Sequence, residues 1–234
     1  MEETVISILV LGLLLGLKHA TEPDHVAAVA TIVSGQRSVR RSSLVGALWG
    51  MGHTSALFLA GGVILALRLT IPQSVAMVLE FLVGLMLIAL GIQGFRRAAR
   101  SVRFHVHTHS HGDAVHTHLH VHAGPEEVHQ QHHTALPKQC FWIGVMHGLA
   151  GTGAVTVLVL AAVPSTAAGL GYLLLFGLGS ILGMMTMSAV IGIPFVLTAG
   201  RYDTVSLRIQ QAAALASIAV GAMLLREMLA AMLA

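Results

Sequence analysis

Long runs of apolar residues make up most of this chain, with too few polar positions in any run to form a water-facing side. Six runs reach or exceed the roughly 20 residues that a helix needs to cross a bilayer. They cover residues 4–33, 43–68, 74–96, 139–163, 168–199 and 206–233. Short segments join the runs, and the one long connection is residues 97–138. The pattern predicts an all-α polytopic membrane protein with six transmembrane helices.

Pro23 lies inside the first run and predicts a break in that helix. Proline has no backbone N–H to donate, and its ring pushes the preceding residue, Glu22, out of the helical conformation. We therefore expect the first span to be broken near Pro23, with free carbonyl oxygens at the break. Interrupted helices with unwound backbone are a common way to build an ion site inside a membrane.

Two stretches recur at nearly the same spacing, which indicates that the two halves of the chain are related. GLKH at 16–19 resembles GVMH at 144–147, and LWGMG at 48–52 resembles LFGLG at 175–179. With three spans in each half, the second half would have inverted topology, which is typical of transporters. Chance similarity among glycine- and leucine-rich helices is the alternative. The predicted units are a first three-helix repeat (1–96), a loop (97–138) and a second three-helix repeat (139–234).

The composition agrees with a membrane protein. Hydrophobic residues make up 55% of the chain and charged residues 10%, whereas a soluble domain has about 25% charged residues. The mean hydropathy is +0.80. The single cysteine, Cys140, excludes an internal disulfide. Glu2 and Glu3 favour a first transmembrane helix over a signal peptide, because signal peptides begin with a positive region.

The basic residues are distributed unevenly between the two sides of the predicted bundle. Only Arg68 and Arg226 fall on one side. Ten fall on the other: Arg37, Arg40, Arg41, Arg96, Arg97, Arg100, Arg103, Lys138, Arg201 and Arg208. Lys and Arg accumulate on the cytoplasmic side, so we expect both termini outside the cytoplasmic (inner) membrane and the long loop in the cytoplasm. An anionic membrane surface explains these charges without a nucleic-acid partner. A homo-oligomer or a cytoplasmic metallochaperone is left open.

The first span carries several ionisable groups in the segment KHATEPDH, residues 18–25. A charge at mid-bilayer costs roughly 2.5–3.5 kcal/mol on insertion scales, so these groups must face protein or a water-filled cavity. A straight helix would point His19, Asp24 and His25 apart, but a break could aim them at one ion. Two imidazoles and a carboxylate suit Ni²⁺, Co²⁺ or Zn²⁺ better than Ca²⁺ or Mg²⁺. The alternative is a buried polar network that only holds helices together.

Two more histidines lie beside glycines in other spans. His53 follows Gly52, and His147 lies between Gly144 and Gly148. A lone histidine in an apolar helix is more often a hydrogen-bonded core residue than a ligand. The positions of these two in the repeat nevertheless favour both as metal ligands.

These residues resemble the signatures of the nickel/cobalt transporter (NiCoT) family, in particular those of its short urease-associated (UreH-like) members. The family motif H-x4-D-H is matched by His19, Asp24 and His25. A second motif, G-H-[ST] in the next helix, is matched by Gly52, His53 and Thr54. The resemblance implies a permease that carries Ni²⁺ or Co²⁺ as its substrate and uses no organic cofactor. Glu22, Pro23 and Thr54 are expected to support the site.

A histidine-rich segment occupies the long loop. Its eight histidines alternate with other residues in two sets, His105, His107, His109, His111 and His116, His118, His120, His122. An antiparallel hairpin that opposes His111 to His116 and His105 to His122 would place all eight on one face. Such tracts indicate metal binding, and we expect this one to collect ions in the cytoplasm. A hydrophilic linker with incidental histidines is the alternative.

The predicted function is uptake of Ni²⁺ or Co²⁺ across the cytoplasmic membrane, without enzymatic activity. An efflux protein would differ only in direction, and a metal sensor would bind without transport. An intramembrane metallohydrolase could use the same ligands to activate water, but the chain has no HExxH motif. It also lacks the GxxxxGK[ST] motif, so it does not hydrolyse ATP through a P-loop.

Overall fold

Seven helices and one β-hairpin make up the part of the chain that the computed structural model describes. It describes residues 2–69, 71–100, 102–111, 114–123, 135–162 and 165–233, with side chains at 6–69, 71–100, 138–151 and 165–233. The elements in chain order are α1 (Glu2–His19), α2 (Pro23–Val33), α3 (Val39–Leu67), α4 (Gln73–Arg100), β1 (Val102–His111), β2 (Ala114–Ala123), α5 (Ala135–Ala162), α6 (Thr166–Thr198) and α7 (Asp203–Leu233).

Several of these helices could cross a membrane. Within the described residues, α3, α4, α6 and α7 are each long and apolar enough, and α1 with α2 forms a fifth such span with a 53° bend. The sixth predicted span falls in α5, where the side chains after Gly151 lie outside the description. Leu59, Val63 and Leu197 are each more than half exposed on the outer surface. The helices and this apolar exterior indicate a membrane protein.

The break predicted at Pro23 is present. α1 ends at His19, and Glu22 has an extended backbone (φ −64°, ψ 146°) immediately before the first residue of α2. A tight turn closes the gap, because the N–H groups of Thr21 and Glu22 donate to the carbonyls of Lys18 and His19 at 2.8 and 3.1 Å. The carbonyl of His19 therefore has a partner. The prediction that the break would leave this oxygen free for an ion is wrong.

Glycines allow the helices to pack closely where they cross. A Cβ atom at these positions would collide with the backbone of the opposing helix, so small residues are required there. The close contacts are Gly16 on α1 with Phe176 on α6, Gly144 on α5 with Trp49 on α3, and Gly84 on α4 with Gly221 on α7. The α3–α5 and α1–α6 crossings lie directly beside the histidines of the first, second and fourth predicted spans.

The two strands pair in antiparallel fashion, as predicted, but the register differs by two residues. The predicted oppositions of His111 to His116 and of His105 to His122 are wrong, since His111 pairs with Ala114. The ladder continues to a connection of two residues, a length that hairpins favour. An even shift keeps the same positions on each face. The observed histidine pairs are His105–His120, His107–His118 and His109–His116.

Candidate metal centre

Four histidines meet in the interior of the bundle. His19 ends α1, His25 lies in the first turn of α2, His53 is in α3 and His147 is in α5. All four are buried, and His53 is completely inaccessible. The ring centroids are 4.4 Å apart for His19 and His25, 5.0 Å for His19 and His53, and 4.0 Å for His25 and His147. These residues are far apart in the sequence, and the fold brings their rings together.

The local packing explains how these rings reach one point. The bend between α1 and α2 turns the end of one helix and the start of the next toward the same interior space. Close packing of Gly148 on the backbone of His53 brings α3 and α5 together at the cluster. Thr54 then fixes α3 to α6, since its hydroxyl donates to the carbonyl of Gly177 at 3.0 Å. Trp49 stacks on His25 with ring centroids 5.5 Å apart.

Two carboxylates form hydrogen bonds with three of the four rings. Asp24 lies between two of them, with Oδ1 3.0 Å from Nδ1 of His25 and Oδ2 2.8 Å from Nε2 of His147. Its Oδ1 also accepts the backbone N–H of His25 at 2.9 Å. Glu22 Oε2 lies 2.9 Å from Nδ1 of His19. Each carboxylate thus fixes the orientation of a ring that faces the cluster.

The remaining ring nitrogens are buried with no hydrogen-bond partner among the described residues. They are Nε2 of His19, Nε2 of His25, both nitrogens of His53 and Nδ1 of His147. An unsatisfied buried polar atom costs about 1–3 kcal/mol, and native structures contain few of them. A concentration of such atoms at one place points to a ligand. Neutral imidazole nitrogen is a preferred donor for Ni²⁺, Co²⁺ and Zn²⁺.

Among the side chains that the structure describes, two groups are close enough to hold a metal ion. His19, His25 and His53 form one group, and Asp24, His25 and His147 form the other. Within each group the ligand atoms lie within 4.8 Å of one another. His19 and Asp24, expected from the sequence to meet at one ion, are in different groups that share His25. The oxygens of Asp24 are directed at His25 and His147 instead.

Comparison with known proteins shows the family to which this chain belongs. Urease accessory protein UreH of Bacillus sp. (strain TB-90) is 40% identical over 200 residues, which cover 83% of this chain and 80% of that protein. The chain belongs to the UreH family. Chloroplast proteins FOR GROWTH AND FERTILITY 1 and 2 of Arabidopsis thaliana are 31% and 28% identical over 183 residues. The chain spans about half the length of these two proteins, 48% and 46%. No family model matches the chain, and no solved structure matches it significantly.

A cavity opens beside the histidine cluster of this UreH-family chain. It has a volume of about 290 Å³, and its lining includes four of the five predicted site residues, His19, Asp24, His25 and His147. The completely buried His53 is not part of the lining. Glu22 and Glu80 add two carboxylates to it. Glu80 was not predicted as a site residue, although a lone carboxylate in an apolar span is itself a signal of function.

A second cavity lies further along the same three helices, α2, α4 and α5. It has a volume of about 600 Å³, and its lining includes Thr31, Gln93, Arg97 and Cys140. Val83 lines the first cavity, and Met86, three residues later on α4, lines the second. A separation of three residues is slightly less than one helical turn. The described part of this UreH-family bundle therefore has these two cavities at successive positions along α2, α4 and α5.

The five intramembrane residues predicted to bind metal lie together, but their role as ligands stays a prediction. Among the supporting residues, Glu22 holds His19, Pro23 begins α2 and Thr54 joins α3 to α6. The loop histidines lie in β1 and β2, and their side chains are outside the described residues. Metal binding by the loop of this UreH-family chain is therefore also a prediction.

Proposed function

We propose that this protein takes up Ni²⁺ or Co²⁺ across the cytoplasmic membrane through the buried histidine cluster. The observation that carries the proposal is the set of unpartnered imidazole nitrogens inside a bundle of apolar helices. These donors suit borderline transition metals and have little affinity for Mg²⁺ or Ca²⁺. The similarity to a urease accessory protein supports a role in nickel handling. In that role this chain would be an accessory protein and not an enzyme.

The two cavities support transport over simple binding. They lie in line between α2, α4 and α5, and the histidine cluster borders the smaller one. Arg97 and Lys138 line the larger cavity and flank the long loop in the chain. By the distribution of basic residues, the larger cavity faces the cytoplasm. An ion that passes from one cavity to the other would move along α4 by about one helical turn, from Val83 to Met86.

Six spans arranged as two inverted repeats are part of this proposal. An offset of 128 residues takes Gly16 to Gly144, and an offset of 127 takes Trp49 to Phe176. Gly16 packs on Phe176 and Gly144 packs on Trp49, so exchanging the two halves turns one of these contacts between them into the other. The first offset also relates His19 to His147. Inverted repeats place the substrate site between the halves, and the cluster combines His19, His25 and His53 of the first half with His147 of the second.

The histidine-rich loop has a separate role in the proposal. It binds the ion in the cytoplasm and holds it for delivery, without forming part of the path through the membrane. Three cross-strand pairs of histidine positions along one hairpin support this role, because neighbouring imidazoles on one face can share an ion.

Flux of ⁶³Ni into proteoliposomes tests the proposal. We expect saturable uptake by the intact chain and none by His19→Ala. Met51→Ala is the matched control, because Met51 is exposed on α3 beside the cluster-bearing segment, and it should transport normally. Deletion of residues 105–133 should lower the apparent affinity and leave the maximal rate. Equal flux from the intact chain and His19→Ala would reject the site.

The direction of transport is tested in cells. Expression of an importer raises cell-associated ⁶³Ni, whereas expression of an exporter lowers it and confers resistance to nickel. We expect the first result. Metal binding by the purified protein without any flux would instead favour a sensor.

A further inference from the structure

We infer that the transported ion is bound by three imidazoles, those of His19, His25 and His53, and that Asp24 and Glu22 position these rings without contacting the ion. The inference rests on the proposed function and deepens it by assigning the ligands. It differs from the direct reading of the H-x4-D-H segment, in which the carboxylate of Asp24 would be a ligand.

The hydrogen bonds of the carboxylates determine which nitrogens can bind metal. An ionised carboxylate only accepts hydrogen bonds. Nδ1 of His19 faces Glu22 and Nδ1 of His25 faces Asp24, so both Nδ1 atoms carry the proton. The lone pair is then on Nε2, and the Nε2 atoms of both residues are the ones left without a partner. A metal-bound histidine usually donates its other N–H to a carboxylate in this way.

His53 supplies the third donor. It is fully buried and neither of its ring nitrogens has a partner among the described residues. Its ring centroid lies 5.0 Å from that of His19 and 5.3 Å from that of His25. These three residues form the group whose ligand atoms lie within 4.8 Å of one another. A small shift of these rings would therefore complete a three-nitrogen site.

Asp24 is less suited to the ion than the three rings are. Both of its oxygens already accept hydrogen bonds, from His25 and from His147 at 3.0 and 2.8 Å. Direct ligation would break the contact that orients His25 or the one that ties α2 to α5. The Nε2 atoms of His19 and His25 and the nitrogens of His53 face no such cost, because they have no partner among the described residues to lose.

The ligand set has a consequence for selectivity. Mg²⁺ and Ca²⁺ require oxygen ligands, and a first coordination shell built from neutral imidazoles offers them none from a side chain. Ni²⁺, Co²⁺ and Zn²⁺ accept imidazole readily. Keeping Asp24 out of the shell thus helps to exclude the abundant alkaline-earth ions from the site.

X-ray absorption at the nickel edge tests the ligand set, since multiple scattering reports the number of bound imidazoles. The loop must not compete, so the parent is the full chain with the eleven histidines of residues 105–133 replaced by asparagine. This parent keeps the four intramembrane histidines. We expect one Ni²⁺ per chain bound by three imidazoles. His53→Ala should show two and bind nickel at least 100-fold more weakly.

The Asp24 variants separate positioning from ligation. Asp24→Asn should keep three imidazoles while its affinity falls roughly 10- to 100-fold, as for other residues that orient metal ligands. Asp24→Glu should recover part of that loss, and His147→Gln should keep three imidazoles. If His53→Ala does not fold, as judged by size-exclusion chromatography and circular dichroism, the parent and Asp24→Asn spectra still decide the question.

Some outcomes would overturn the inference. Two imidazoles in the parent, or an unchanged spectrum in His53→Ala, would place the ion in the Asp24–His25–His147 group. Three imidazoles in a chain that carries no flux would sustain the ligand assignment and reject transport. If Asp24 is a metal ligand in a chain that carries flux, transport would be sustained and the ligand assignment rejected. A parent that binds no nickel would remove both proposals.

Discussion

Each imidazole of the cluster can bind an ion only through an unprotonated nitrogen, so protons compete with the metal. Lowering the pH favours the charged ring, and binding then has to release protons. We expect the affinity of the loop-substituted parent for Ni²⁺ to be constant above about pH 7 and to fall steeply below about pH 6. Calorimetric titration in buffers of different ionisation enthalpy measures both the affinity and the protons released. An affinity that rises as the pH is lowered would contradict ligation by histidine.

Glu80 lies at the candidate site but was not predicted from the sequence. Its carboxylate lines the cavity beside the cluster, and a negative charge at the wall of a cleft raises the local concentration of cations. We expect Glu80→Gln to raise the KM for Ni²⁺ roughly tenfold with little change in kcat. Glu227→Gln is the matched control, because Glu227 is exposed on α7 and lines neither cavity described above. Equal effects of the two substitutions would reject a role for Glu80 at the entrance.

The sequence was informative about which residues form the site and less so about how they are arranged. Charged and imidazole groups in an apolar run have few explanations other than function, so His19, Asp24 and His25 could be identified. The hydrogen bond from His147 to Asp24 depends on how α2 and α5 approach each other. A single sequence does not contain that distance. The same limit explains why Glu80 was overlooked, since α4 has no histidine near it in the chain.

Helix crossings at glycine determine how close the histidines come. A Cβ at position 144 would collide with the carbonyl of Trp49, whereas at Gly62 the nearest atom would be a Leu170 methyl at 3.7 Å. We expect Gly144→Ala to destabilise the protein by about 1–3 kcal/mol and Gly62→Ala to be neutral. Thermal unfolding in detergent, followed by fluorescence or size-exclusion chromatography, compares them. Gly16→Ala should resemble Gly144→Ala, and a difference between these two would weaken the repeat.

Local chemistry accounts for the elements that could be predicted. Pro23 cannot donate the backbone N–H that a continuous helix needs at this point, so the break between α1 and α2 could be predicted from one residue. The return of the chain through Thr21 and Glu22, which occupies the His19 carbonyl, depends on hydrogen bonds that the sequence does not specify. In the hairpin, the alternation of histidines predicted which positions share a face. It did not distinguish between registers that differ by two residues. The observed ladder extends to the pair His111 and Ala114.

The distribution of basic residues predicts the orientation of the whole molecule, and the orientation decides which cavity faces the cytoplasm. Cys140 is first replaced by serine, and a single cysteine is then introduced at Gln73 or at Tyr202. Each position reports on one side of the membrane, because Gln73 is exposed at the start of α4 and Tyr202 is exposed just before α7. We expect a membrane-impermeant maleimide to label Gln73→Cys in intact cells. Tyr202→Cys should react only after permeabilisation, since Arg201 and Arg208 place it on the positive side. The opposite pattern would put the histidine-rich loop outside the cell and the smaller, acidic cavity on the cytoplasmic side. The cluster would then be filled from within, which is the geometry of an exporter, so this labelling and the ⁶³Ni uptake assay must agree.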